Sequence, residues 1–102
     1  MVGNYKVITL SGSTKFKEQF LKVQEKLTLE GNIVLSVGAF GHSDQIEMTE
    51  ETKDMLDDMH KRKIDMADEI FVINKNGYIG SSTKSEIQYA IDLRKPVKYM
   101  ES

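Results

Sequence analysis

The sequence predicts an α/β protein: a three-layer, flavodoxin- or Rossmann-like fold with a parallel sheet of four strands and helices on both faces. Short apolar runs alternate with amphipathic helical stretches from one end of the chain to the other. This alternation is typical of parallel sheets. The chain has 102 residues, which fits one domain covering residues 1–102. We expect right-handed crossovers between the parallel strands and a flavodoxin-like strand order of 2-1-3-4.

The predicted strands are short runs rich in β-branched and aromatic residues. The first and third are almost continuously apolar, as strands covered on both faces should be. The four strands span residues 5–10, 33–36, 69–74 and 97–100.

The predicted helices lie between these strands and span residues 14–30, 49–68 and 83–94. An apolar stripe at helical spacing marks the first helix and consists of Phe16, Phe20, Val23 and Leu27. The second begins with acidic residues, which the positive end of the helix dipole favours. The third cannot continue through Pro96, because proline has no backbone N–H to donate.

Composition and charge exclude several classes of function. The net charge of −2 provides no basic field for a nucleic acid polymer, so we expect none as a partner. The absence of cysteine excludes disulfides, thiolate metal sites and cysteine nucleophiles. No His-x-x-x-His or Glu-x-x-His pair indicates a metal site, and we expect no cofactor. Without a signal-peptide pattern or an apolar run of about 20 residues, the chain is expected to be cytoplasmic and away from membranes.

Two loops rich in glycine, serine and threonine follow the first and third predicted strands. The first loop contains Ser11, Gly12, Ser13, Thr14 and Lys15, and the second contains Gly80, Ser81, Ser82 and Thr83. A long loop over residues 37–48 adds His42 at the same edge of the sheet. In open α/β sheets ligands bind beyond the carboxyl ends of the strands, and helix N-termini attract anions. The loops therefore predict a phosphate or sugar site, although ordinary turn and N-cap chemistry explains the same residues.

Glu86 is the sharpest candidate for chemistry. The predicted third helix puts it in the first turn, with its carboxylate directed to the loop edge as a nucleophile or base. The alternative is structural, because residues 83–86 read as a capping box in which Thr83 caps the helix and Glu86 bonds back to it.

Two residues of the second predicted helix, Asp65 and His60, are weaker candidates for the site. A helix antiparallel to the strands ends at the amino edge of the sheet, which puts Asp65 far from the loops. His60 lies within the helix beside a basic stretch, and we interpret it as a surface or packing residue.

Three stretches, in this order and spacing, resemble the nucleoside 2-deoxyribosyltransferase-like superfamily. They read ITLSGST (residues 8–14), RKIDMADEIFVIN (62–74) and GYIGSSTKSEIQYA (77–90). The superfamily includes deoxyribosyltransferases and 2-deoxynucleoside 5'-monophosphate N-glycosidases, and the whole chain is similar to its small phage and bacterial members.

The resemblance implies a reaction and a role for each matching residue. Glu86 matches the nucleophile that attacks the anomeric carbon of the sugar. Gly12 and Ser13 match the loop against the sugar or its 5' group, residues 81–83 help to hold the sugar or phosphate, and Asp65 matches a family aspartate. The implied activity is cleavage of the N-glycosidic bond of a 2'-deoxynucleoside or its 5'-monophosphate.

One departure from the family and three hypotheses stay open. Transferases often carry an aspartate before the second loop, but residues 78–83 contain none, which leaves the proton donor to the departing base unassigned. The alternatives to an enzyme are a non-catalytic nucleotide-binding module and an interaction domain whose loops are only caps. The small sheet and a second helix containing Met55 and Met59 predict a homodimer or higher homo-oligomer.

Overall fold

The computed structural model describes residues 1–41 and 43–102. Its sheet has four parallel strands in the order β2-β1-β3-β4, which confirms the predicted order. The strands are β1 (Val7–Gly12), β2 (Ile33–Leu35), β3 (Glu69–Ile73) and β4 (Val97–Tyr99). The central pair, β1 and β3, is also the longest, so the loops that follow these two strands emerge side by side.

Three α-helices connect the strands: α1 (Lys17–Leu29), α2 (Glu50–Met66) and α3 (Ser81–Asp92). A turn of 3₁₀ helix, Thr14–Phe16, precedes α1, and a second one, Lys75–Gly77, follows β3. The predicted start of α3 was wrong by two residues, because the helix begins at Ser81 with Gly80 as its N-cap. In the described residues no helix is long and apolar enough to cross a membrane.

The helices cover both faces of the sheet, as predicted for a three-layer fold. On one face Ile8, Leu10 and Ile73 pack against Phe20 and Leu27 of α1. On the other face a second cluster forms between Ile70 and Val72 of β3, Ile64 of α2 and Ala90 of α3. The fully buried residues of β1 and β3 thus supply both cores, as the side-chain alternation of a strand requires.

The face of β1 that meets α2 is polar. Thr9 is fully buried, and its Oγ1 donates a hydrogen bond of 2.8 Å to the Lys63 carbonyl of α2. Ser11 is also fully buried, and it lies two residues further along the same face of the strand. The hydroxyl group of Ser11 therefore faces α2 where β1 reaches the carboxyl edge of the sheet.

Lys95, which follows α3 in the chain, holds the C-terminal end of α2 through hydrogen bonds. Its Nζ donates to the carbonyls of Ile64, Asp65 and Ala67 at 2.8, 2.7 and 2.7 Å. The last carbonyls of a helix lack intrahelical partners, and a lysine both bonds them and suits the negative end of the dipole.

We expect Lys95→Met to lower the free energy of unfolding by about 1–3 kcal/mol, because three carbonyls lose a charged donor. Urea denaturation measures the change. Lys22→Met is the control, since Lys22 makes only an exposed i,i+4 ion pair with Glu18, worth about 0.3–0.5 kcal/mol. Equal losses in the two variants would contradict the role of Lys95.

Candidate active site

A cleft of about 520 Å³ opens at the carboxyl edge of the sheet. Both predicted polar loops line it, as expected from their positions after neighbouring strands. The lining residues from these loops are Gly12, Ser13, Thr14, Gly80, Ser81, Ser82 and Thr83. Sequence reasoning therefore located the edge and brought the two loops to one site.

Apolar residues from other segments also line the cleft. The long loop after β2 and the first half of α2 supply them, with the side chains of Val37, Ala39, Ile46, Met48 and Leu56. A cleft lined by both apolar and polar residues is typical of a small-molecule site.

Glu86 forms part of the cleft wall, with its side chain only 12% exposed. It is the sixth residue of α3 and not a first-turn residue, because the helix starts at Ser81. The capping box is also excluded: Gly80 is the N-cap, and Thr83 is a buried residue within the helix. Side chains on a helix lean toward its N-terminus, which brings this carboxylate to the cleft.

His60 of α2 meets Glu86 across the site. Its Nε2 lies 3.5 Å from Glu86 Oε1 and 3.1 Å from Ser11 Oγ. Of the two interpretations of His60, surface or packing residue, the structure supports the second, because His60 is 6% exposed. The sequence signal for the burial of His60 was its helical spacing from two apolar residues, Ile64 and Ala67, which follow it by four and seven residues. Both are buried in the structure.

Burial is the main influence on the charges of Glu86 and His60. It raises the pKa of Glu86 to about 7; the Ser11 hydrogen bond opposes this, the charge of Asp57 adds to it and that of Lys61 opposes it. Burial also lowers the pKa of His60 to about 4, assisted by the charge of Lys63 and opposed by a hydrogen bond to the Leu10 carbonyl. At neutral pH His60 is therefore uncharged, and Glu86 is about half ionised.

Ser11, His60 and Glu86 do not form the triad of a serine hydrolase. In such a triad the acid holds one imidazole nitrogen while the serine bonds the other. Here both Ser11 Oγ and Glu86 Oε1 approach Nε2, and Ser11 is fully buried. The group best placed for chemistry is the carboxylate of Glu86, with Ser11 and His60 as its partners.

Other predicted site residues lie at the margin of the cleft or away from it. Lys15 does not line it, but its Nζ lies 3.5 Å from the centre of the ring of Tyr78, which does. Asp65 also does not line it; its carboxylate accepts from Tyr89 Oη and pairs with Arg62 at 3.2 Å. This agrees with the argument from helix direction, and not with the position that the resemblance implied.

Ser13 has a structural role as well as a place in the cleft. Its side chain caps the 3₁₀ turn by accepting a hydrogen bond of 3.4 Å from the Lys15 N–H. The predicted candidate His42 lies outside the described residues.

Lys53, Asp57 and Tyr78 are among the lining residues that sequence reasoning missed. Lys53 and Asp57 precede His60 on α2 by seven and three residues, so helical periodicity from His60 could have found them. Within residues 1–41 and 43–102 no group of three or more His, Cys, Asp or Glu side chains could hold a metal ion.

A comparison of the sequence with models of protein families gives no match, and a search of curated proteins gives none either. The argument for function therefore rests on the geometry of the cleft and on the chemistry of its residues.

Proposed function

We propose that the protein is an N-glycosidase or deoxyribosyltransferase that cleaves the N-glycosidic bond of a 2'-deoxynucleoside or its 5'-monophosphate, with Glu86 as nucleophile. The observation that carries the proposal is a carboxylate, 12% exposed, in the wall of a 520 Å³ cleft between two polar loops. Such a group is shielded from water but accessible to a ligand, as covalent catalysis on a sugar requires.

The polar and apolar lining residues of the cleft suit the two parts of a nucleotide. Gly80, the N-cap of α3, offers no capping side chain, which suits the binding of an anion such as a phosphate at the first N–H groups of the helix. Hydroxyl groups of residues 81–83 and the N-terminal loop add donors in the same cleft. The apolar residues, from Val37 to Leu56, suit the faces of a base.

The chemistry follows from a carboxylate next to an anomeric carbon. Positive charge develops on the sugar as the base leaves, and Glu86 traps the sugar as an ester. Attack by water then gives a hydrolase, and attack by a second base gives a transferase. The Ser11 hydroxyl favours the ionised form of Glu86, which is the form that acts as nucleophile.

Incubation with each deoxynucleoside and each 5'-monophosphate, followed by chromatography, tests the proposal. Native protein is expected to release free base, and Glu86→Gln is not. Glu25→Gln is a matched control, because Glu25 is an exposed carboxylate on α1. Release of free base at equal rates by native protein and Glu86→Gln would exclude Glu86 as the nucleophile.

A non-catalytic nucleotide-binding module is the second candidate. The raised pKa of Glu86 favours it, since a protonated carboxyl group can donate a hydrogen bond to a sugar or phosphate oxygen without reacting. A rise in melting temperature with one nucleotide, together with no free base from any substrate, would establish this candidate. No binding of any nucleotide would leave only an interaction domain.

We also propose that the protein is a homo-oligomer through the outer surface of α2. Met55, Met59 and Met66 are 52%, 42% and 66% exposed there, and exposed apolar patches often mark interfaces. Native mass spectrometry is expected to give a dimer or larger species, and Met59→Lys is expected to dissociate it. A monomer at all concentrations would contradict the proposal.

A further inference from the structure

The proposed chemistry needs a group that gives the departing base a proton, and Asp57 is in position to do so. Asp57 lines the same cleft as Glu86. Both residues also line a second cavity of about 220 Å³, together with the serines at the start of α3. Asp57 therefore adjoins Glu86 at both cavities.

The carboxylate of Asp57 has no partner in the described part of the chain. It makes no hydrogen bond or ion pair there, although the residue is half-buried. The next residue, Asp58, is 73% exposed and pairs with Arg62 at 3.9 Å. A half-buried, unpaired carboxylate facing a cleft is available to a ligand, whereas Asp58 already has a structural partner on the surface.

Because of the direction of α2, Asp57 lies nearer to the carboxyl edge of the sheet, where the cleft opens, than His60 does. The helix ends beside the amino end of β3, so its N-terminus lies at the carboxyl edge of the sheet. Asp57 precedes His60 by three residues, which is about one turn or 5 Å closer to that edge. It is also adjacent to Leu56, which belongs to the apolar lining of the cleft.

We propose that Asp57 is the general acid and base of the reaction, and that it protonates the base as it leaves. This inference rests on the proposed function. It gives the two carboxyl groups of the site separate tasks: Glu86 bonds to the sugar, and Asp57 transfers the proton. Two carboxyl groups divide the work of glycoside hydrolysis in the same way.

The reacting state is the one in which the pair holds one proton, on Asp57, and Glu86 is ionised. As the bond between C1' and the base nitrogen breaks, its electron pair goes to the base, the base takes the proton of Asp57, and a Glu86 oxygen bonds to C1'. In the second step the Asp57 carboxylate takes a proton from water, the water oxygen bonds to C1', and the ester bond to Glu86 breaks. The products are free base and deoxyribose 5-phosphate, and both carboxyl groups regain their starting states.

The charges of the two residues interact. The negative charge of Asp57 raises the pKa of Glu86, and two neighbouring carboxyl groups resist being ionised together.

The test compares ordinary nucleotides with nucleotides whose base departs with less help from a proton donor. One pair is deoxyguanosine 5'-monophosphate and its 7-methyl derivative; the other is deoxyuridine 5'-monophosphate and its 5-fluoro derivative, with a less basic leaving group. Native protein, Asp57→Asn and the matched control Asp58→Asn are assayed on both pairs. Asp57→Asn is expected to lose about 100- to 10,000-fold on the ordinary nucleotide, but less than about 10-fold on the activated partner. Asp58→Asn is expected to match native protein.

Any other result contradicts either the role of Asp57 or the proposed function. Equal losses by Asp57→Asn on both members of a pair, or no loss on either, would overturn the role of Asp57 while leaving the N-glycosidase intact. No release of base by native protein from any of the four nucleotides would overturn the proposed function, and the inference with it. Activity of Asp57→Asn on the activated nucleotide itself shows that the variant is folded.

Discussion

Glu86→Gln is expected to abolish the release of free base and at the same time to stabilise the fold above neutral pH. Glutamine keeps the shape of the side chain but cannot form the sugar ester, so we expect turnover to fall by about 1,000-fold or more. Nucleotide binding, measured by calorimetry, is expected to change little, because the polar loops proposed to hold the ligand remain.

The gain in stability follows from the raised pKa of Glu86 in the folded protein, about 7 against an ordinary value of 4.5. The folded state binds the proton more tightly than the unfolded state, so the associated stability is present at low pH and is lost as pH rises through about 7. Each pKa unit corresponds to about 1.4 kcal/mol. At about pH 8 the neutral glutamine is therefore expected to raise the free energy of unfolding by about 2–3 kcal/mol.

Urea denaturation at about pH 8 and about pH 4 measures this gain. The gain is expected to disappear at the lower pH, where native Glu86 is protonated as well. A variant that is less stable than native protein at both values would show that burial does not disfavour the Glu86 charge. A stabilised but inactive variant would be the usual result of removing a functional group held in an unfavourable environment.

His60→Asn and Glu86→Gln are expected to change the pH dependence of the free energy of unfolding in opposite directions. His60 has a lowered pKa in the folded state, about 4 against 6.5, so its contribution is present above 6.5 and is lost as pH falls toward 4. The contribution of Glu86 changes in the opposite direction between 4.5 and 7. In native protein the two slopes therefore largely cancel between about pH 4.5 and 6.5.

Each single variant removes one of these opposing slopes. Across that window the free energy of unfolding is expected to rise with pH by about 2 kcal/mol more in Glu86→Gln than in native protein. In His60→Asn it is expected to fall with pH by a similar amount relative to native protein, even if the variant is less stable overall. The groups that face the pair are Ser11, Asp57, Lys61 and Lys63, and all four remain in both variants. Parallel pH profiles in the two variants would contradict the assigned ionisation states.

The order of the strands and the edge that holds the site could be predicted because they depend on regular patterns. Apolar runs such as residues 70–73 and the stripe through Phe20 and Leu27 are separated by clear turn residues. The strand order followed the common flavodoxin-like arrangement, and the location of the cleft followed from the strand ends.

The start of α3 was less predictable, because Gly80, Ser81, Ser82 and Thr83 can each cap a helix. The structure selects Gly80, and Thr83 is then buried inside the helix at 3% exposure. This choice depends on packing against the rest of the domain, which a local pattern does not contain.

The packing face of α2 was also ambiguous. The helix has two adjacent stripes, one with Met55, Met59 and Met66 and the other with His60 and Ile64. The methionine stripe is the more apolar of the two, yet its residues are exposed, while His60 and Ile64 are buried. Ser11 of β1 forms a hydrogen bond with His60, and the Thr9 hydroxyl donates to the Lys63 carbonyl beside this stripe. Such pairing between elements cannot be read from a single segment.

The contact of Lys95 with the end of α2 joins two walls of the cleft that are far apart in sequence. Lys95 follows α3, which carries Glu86, and it holds the helix that carries Asp57 and His60. Local opening of one helix must break three hydrogen bonds to the segment following the other, so α2 and α3 should open and close as one cooperative unit in amide hydrogen exchange. The carboxyl groups of the cleft would then keep their spacing through the fluctuations that leave the fold intact, and lose it only when that unit opens as a whole.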